Sequence, residues 1–259
     1  MVVILEGGCR VSQMHYGEPL VEGTLRIWKQ IGRATGAQAI SLRVMEFGPG
    51  LSPTVRNDDC DQILYVLANN QNSATRDGGS VKLFINECSF AVGSDTGIYI
   101  RPGETFGIYN FGPDSVTIIS AQCPDPDCEP QFAQSPLKAE SAELSPVVRL
   151  ADQKAQPTAD RWYRVLVDDA IGSEQVTQFV GSIPPGRAPD HFHQYEEVLF
   201  ILEGEGRMWA GETNTPIASG SCIYLPKGQT HCVENTGEGE LRLLGVFYPA
   251  GSPSVRYES

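Results

Sequence analysis

The chain has 259 residues, a net charge of −13 and a hydrophobic fraction of 41%. That length holds one large core or two of ordinary size, and the negative charge argues against nucleic acid or an anionic membrane as partner, since both call for basic patches. No apolar run approaches the length of a membrane span, and 27 glycines and 18 prolines among many Val, Ile, Thr and Tyr predict short strands and frequent turns.

The opening Met1-Val-Val-Ile-Leu5 is stopped by Glu6, lacks a basic start and is too short for a signal peptide, so a cytoplasmic protein is expected. Cys60-Asp-Gln-Ile-Leu-Tyr-Val-Leu67 and Thr96-Gly-Ile-Tyr-Ile-Arg-Pro-Gly103, running on to Asn110, are apolar stretches with turn punctuation between them. Asp58, Asp59 and Asp61 make a short acidic cluster, read as solvated carboxylates in a turn. The seven cysteines are odd in number and mostly scattered in strand-like segments, which suits reduced thiols; Cys123 and Cys128 are expected to be free as well. From Cys123 to about Arg161 the chain is rich in Pro, Gln, Ala, Ser and Asp, the composition of an extended linker with one short helix.

Beyond that stretch the pattern repeats. Phe47-Gly-Pro-Gly-Leu-Ser-Pro53 returns as Ile183-Pro-Pro-Gly-Arg-Ala-Pro189, and Cys60–Leu67 returns as Tyr195–Leu202. Thr96–Asn110 is matched by Ser221-Cys-Ile-Tyr-Leu-Pro-Lys-Gly228 through Asn235. Each half is a run of short strands between Gly/Pro turns, the pattern of a β-barrel or sandwich.

Three of the four histidines fall in the second half's repeat. His191 and His193 stand two apart and share one face of a strand; Glu197, four further on, is in phase with them if the strand is unbroken. The turn at Pro226-Lys-Gly228 brings His231 back toward that face. Three imidazoles and one carboxylate suit a divalent first-row metal better than magnesium or calcium, which take all-oxygen shells. In the first half Gln62 stands where Glu197 does and Phe106 where His231 does, and the two other positions fall within Val55-Arg56-Asn57-Asp58. That half is therefore expected to bind no metal and to serve packing, dimer formation or the shape of the other half's mouth. Tyr195 shares the face of His193 and Glu197, while Cys232 faces away from His231. Gln178, Arg207, Trp209, Tyr224, Arg242 and Phe247 lie on flanking strands as further pocket candidates, about half of which alternation can turn inward.

These residues closely follow the two-part signature of the cupins, which the chain resembles over nearly its whole length. His-x-His, three residues, Glu, six residues and Gly run from His191 to Gly204. Gly, five residues, Pro-x-Gly, two residues, His, three residues and Asn run from Gly220 to Asn235. Gly186 departs from the pattern by standing one residue closer to His191 than usual. The resemblance implies an all-β fold of two tandem jelly-roll barrels. Residues 1–122 would form a degenerate N-terminal barrel, 123–161 a Pro-rich linker and 162–259 a metal-binding C-terminal barrel. It further implies one divalent transition metal per chain (manganese, iron, nickel, copper or zinc), a small-molecule substrate and a homodimer or higher homo-oligomer. The same ligand set occurs in cupins similar to oxalate decarboxylase, germin-type oxalate oxidase and quercetinase-like dioxygenases. Decarboxylase or dioxygenase chemistry on a small oxygen-rich metabolite is therefore expected. The alternative is a non-catalytic protein that binds or senses a small molecule or sugar. A hydrolase similar to ureidoglycine aminohydrolase is a further alternative, although the Glu-x-His motif of those enzymes is missing here.

Overall fold

Alternating apolar residues close two β-barrels, each from a pair of facing sheets, in a computed structural model that describes residues 1–56, 59–67, 81–133, 145–158 and 160–254. The first barrel joins a seven-stranded sheet to a six-stranded one, and the second joins an eight-stranded sheet to a four-stranded one. Neighbouring strands run antiparallel, as expected for jelly rolls connected by short turns.

Side-chain alternation sorts the core into three parts. On Asp61–Val66 the residues Leu64 and Val66 fill the first barrel, with Phe106, Ile98 and Ile108. On Glu196–Glu203 the residues Leu199 and Ile201 fill the second, with Met208, Leu243 and Phe247. The opposite faces of the same strands meet between the barrels, where Ile63, Tyr65 and Leu42 pack against Val198, Phe200, Tyr224 and Val246. Strands buried on both faces read as continuous apolar runs, which is why Cys60–Leu67 and Tyr195–Leu202 show so little polar alternation.

The repeat holds down to single hydrogen bonds. Asn110 Nδ2 donates to the carbonyls of Phe47 (3.1 Å) and Asp114 (2.7 Å), and its Oδ1 accepts from Gly112 N–H at 2.9 Å. Asn235 does the same with Ile183 (2.8 Å), Gly239 (2.7 Å) and Gly237 (2.9 Å). In both barrels the amide ties the end of one strand to the turn that follows it.

Strand pairing does not follow the expected boundaries at 122/123 and 161/162. The N-terminal strands Val3–Ile4 and Arg10–Gln13 join the second barrel, Arg10–Gln13 lying along Ser221–Leu225. An uncovered sheet edge carries unpaired N–H and C=O groups, and this early segment pairs with them. Parts of the expected linker are strands too. Gln131–Ala133 and Val147–Arg149 extend the first barrel's sheets, Leu150–Asp152 is a single 3-10 turn, and Gln156–Thr158 pairs with Arg161–Val167 of the second barrel.

The acidic cluster also needs correcting. Asp58 lies outside the described residues, and Asp61 is not solvated: it is buried and accepts a 2.5 Å hydrogen bond from the Tyr99 phenol. All seven cysteines are free thiols; Cys123 is buried, which pushes its pKa well up, and Cys128 is exposed. Among the described residues no helix is long and apolar enough to cross a membrane.

Candidate metal centre

The strand expected to carry His191, His193 and Glu197 is in fact broken. His191 makes an isolated bridge to His231, with N–H to carbonyl bonds of 3.0 and 2.8 Å in the two directions. The chain bends at Gln194 and Tyr195, and the regular strand starts at Glu196. Simple alternation along one strand therefore does not place the three residues. The bridge fixes His191 opposite His231, and Glu197 turns inward with Leu199 and Ile201. The turn before His231 is tied to the same loop, because Gly228 N–H donates to the His193 carbonyl at 2.8 Å. Gly228 has φ +77°, a left-handed conformation that favours glycine.

The three imidazoles converge. One ring nitrogen from each of His191, His193 and His231 lies within 4.8 Å of the others. His191 Nδ1 donates to the Pro189 carbonyl at 3.0 Å and His231 Nδ1 to the Gln229 carbonyl at 2.8 Å. A carbonyl only accepts, so both Nδ1 atoms carry the proton and each Nε2 keeps a lone pair. His193 Nε2 lies 3.6 Å from Glu197 Oε2. Burial pushes the Glu197 carboxyl up to about 8. Burial, then the neighbouring His191 and His193, pull His231 down to about 3. The donor set fits a divalent cation: three imidazoles that can each turn a ring nitrogen to it, plus a carboxyl whose proton a cation would displace.

These groups open on a cavity of about 100 Å³, well below the roughly 300–1,000 Å³ of sites for drug-sized ligands. Its wall is mostly apolar, with Phe179, Leu199, Val233 and Leu243, while Arg161 and Tyr163 supply polar tips. Arg161 Nε donates to Asp160 Oδ1 at 2.9 Å. Among the described residues of the wall, Arg161 is the one arginine or lysine and Glu197 the one carboxylate.

Of the flanking candidates, Tyr195 belongs to the cavity and stacks on the His193 ring at 4.7 Å and 10°. Phe247 stands directly behind it, 4.3 Å from the Tyr195 ring. The others point elsewhere. Gln178 Nε2 donates across the barrel junction to the Leu64 carbonyl at 3.4 Å, Tyr224 packs in the same junction, and Arg242 pairs at 3.7 Å with Asp95 of the first barrel. Arg207 is exposed and bonded to Asn214, and Trp209 lies under the Arg187 guanidinium on the outer surface. Cys232 also faces outward, accepting from Arg187 Nε at 3.2 Å. Sequence reasoning missed Arg161, Tyr163 and Phe179. The alternation of Phe179, Gly181 and Ile183 was visible, but its phase depends on pairing with Leu241–Tyr248, which sequence spacing does not disclose.

In the first barrel Phe106 lies opposite Val55 as His231 lies opposite His191, so Val55 is the counterpart of His191. Gln62 replaces Glu197 and donates from Nε2 to Ser120 Oγ at 2.9 Å. Asn57 and Asp58 lie outside the described residues.

Two β-barrels packed back to back, one of them with a histidine-lined cavity, define a bicupin architecture. Known proteins agree: the cupin domain family matches residues 179–247, and this chain belongs to the cupin superfamily. Auxin-binding protein 1 of Arabidopsis thaliana is 32% identical over 86 residues, 29% of this chain and 43% of that one. The oxalate-binding protein of Thermotoga maritima is 36% identical over 67 residues, 25% of this chain and 55% of that one. The chain thus spans about half the length of these two curated relatives. An uncharacterized protein of Aquifex aeolicus is 31% identical over 86 residues, 32% of this chain and 69% of that one. Among solved structures, Bacillus subtilis oxalate decarboxylase at pH 4.6 superposes with a TM-score of 0.71 at 15% identity, over 92% of this chain and 76% of that one. At that identity the likeness is one of fold.

Proposed function

We propose that the C-terminal barrel holds one divalent transition metal through His191, His193, His231 and Glu197. On this reading the protein is a metal-dependent enzyme acting on a small, oxygen-rich carboxylate. The observation that carries the reading is the convergence of three ring nitrogens and a buried carboxyl on one small cavity. Manganese, iron, nickel, copper and zinc all accept such a donor set, and a bound metal with an open position supplies Lewis-acid or dioxygen chemistry. Arg161 on the wall can pair with a substrate carboxylate. Decarboxylase or dioxygenase-type chemistry is the reaction class proposed for such a metal, and a protein named as an oxalate decarboxylase shares the fold.

A second reading, binding without turnover, draws on the composition of the wall. Among its described residues no carboxylate besides Glu197 is at hand as a general acid or base. A relative named as an oxalate-binding protein points the same way. Elemental analysis of the purified protein, followed by assay of the metal-loaded form with small dicarboxylates and oxo-acids, tests both. Carbon dioxide release or oxygen uptake supports the enzyme, and saturable binding without either supports the binding protein. Protein that takes up no transition metal would remove the enzyme reading.

Metal affinity should rise about tenfold for each pH unit gained below about 8, then level off, because Glu197 must lose its proton to coordinate. A flat affinity in competition titrations across that range would exclude Glu197 as a ligand. The metal-free fold has the opposite sign. With its pKa raised, Glu197 favours folding most below its ordinary value of 4.5, and that contribution is lost as pH rises through about 8.

Association into at least a homodimer also belongs to this proposal, since cupin barrels carry long sheet edges. Light scattering that finds only a 28.2 kDa species would exclude it.

A further inference from the structure

We infer that the metal-free N-terminal barrel sets the geometry of the metal centre, and that Glu196 is the positioning residue through which it acts. This inference rests on the metal reading proposed above. Glu196 and Glu197 open the same strand and point to opposite faces: Glu197 toward the histidines, Glu196 into the junction between the barrels. The Glu196 side chain is buried, and both of its oxygens are held by the first half of the chain. Gln38 N–H donates to Oε1 at 2.8 Å and Ala39 N–H donates to Oε2 at 2.6 Å. The Tyr224 phenol, from the neighbouring strand Ser221–Leu225, donates to Oε1 as well. Burial, then the Glu196 carboxylate beside it, push the Tyr224 pKa up, so this phenol stays a donor.

The position of this contact gives it leverage. The ligand loop bends at Gln194 and Tyr195, and the regular strand begins at Glu196. A carboxylate held by two backbone N–H groups fixes the point where the loop carrying His193 becomes the strand carrying Glu197. Hydrogen bonds to a charged acceptor are about twice as strong as neutral ones, and the donors are backbone groups with no rotamer freedom to lose. The segment that supplies them is itself braced: Thr35 N–H, Thr35 Oγ1 and Ala37 N–H all donate to the Gly32 carbonyl, at 2.9, 2.9 and 3.2 Å.

The repeat offers an internal comparison. Asp61 opens the matching strand of the first barrel, and the Tyr99 phenol donates to it as Tyr224 does to Glu196. Among the described residues no backbone N–H of the second barrel reaches Asp61, whose side chain is one methylene shorter. The two-amide grip is made on the barrel that carries the histidines.

The test uses the full chain loaded with cobalt(II), whose visible absorption reports ligand geometry. Glu196→Gln keeps an acceptor for one N–H and sets an amide NH₂ against the other; Tyr224→Phe removes only the phenol. Both should lower cobalt affinity, Glu196→Gln by about tenfold or more and Tyr224→Phe by less, and both should shift the absorption bands. Arg242→Ala is the control. It breaks the 3.7 Å inter-barrel pair with Asp95, away from the ligand loop, and should lower thermal stability while leaving affinity and spectrum unchanged. If Glu196→Gln does not fold, Tyr224→Phe decides alone. Wild-type affinity and spectrum in the folded variants would overturn the inference, as would an equal shift in Arg242→Ala. A wild-type chain that takes up no cobalt would instead refute the metal reading itself.

Discussion

Replacing His231 by alanine should lower transition-metal affinity by about 100-fold or more. Four-ligand zinc sites bind with about 10–16 kcal/mol, so one ligand is worth about 3 kcal/mol, and each 1.4 kcal/mol is tenfold. The fold should survive the change. What ties His231 into the barrel is backbone, its N–H and carbonyl bonded to His191 at 2.8 and 3.0 Å, and alanine keeps both. Truncating a buried ring also costs some packing, so circular dichroism must accompany the metal titration. His15→Ala is the matching control: it is the fourth histidine, half-exposed and paired with Glu46 at 2.8 Å on the first barrel. It should bind metal like the wild type. A folded His231→Ala protein with undiminished occupancy and affinity would show that the site is misassigned.

Much of the fold and the outline of this site could be read from residue order, because both rest on local periodicities. The repeat of Phe47–Asn110 as Ile183–Asn235 disclosed two barrels, since matching Gly, Pro and Asn positions do matching work, as the paired bonds of Asn110 and Asn235 confirm. The histidines were legible because their spacing falls where two strands meet. What stayed hidden depends on contacts far apart in sequence. Nothing in Arg10–Gln13 announces that it will cover the edge of Ser221–Leu225 in the other barrel. Gln178, Tyr224 and Arg242 looked like pocket residues because their strands are the right ones. Their phase is set by which face meets the first barrel, and a slip of one residue reverses it. Glu196 was overlooked for the same reason. Beside Glu197 it reads as a spare carboxylate, and only packing of the barrels shows what holds it.

Phe106→Ala should destabilise the first barrel by about 3–5 kcal/mol while leaving metal content unchanged. The two effects separate because the ring occupies the place of a ligand without doing a ligand's work. Phe106 is fully buried, paired across strands with Ile85 on one side and Val55 on the other, in a core of Leu64, Ile98, Ile100 and Ile108. Where the second barrel leaves a cavity among its histidines, the first is filled by this ring. Removing it deletes the buried contacts and leaves a void that rigid strands cannot close. Gln62, held to Ser120, puts a neutral amide where Glu197 stands, and Val55 offers no donor atom, so among the described residues the void exposes no ligand set for a metal to exploit. Urea unfolding followed by circular dichroism and by the intrinsic fluorescence to which Trp28, in the junction against this barrel, contributes reads the stability loss. Metal analysis of the same sample reads the other half. A variant of wild-type stability would mean that Phe106 is not packed as described, and one that gains a second metal ion per chain would show that the first barrel keeps a latent site.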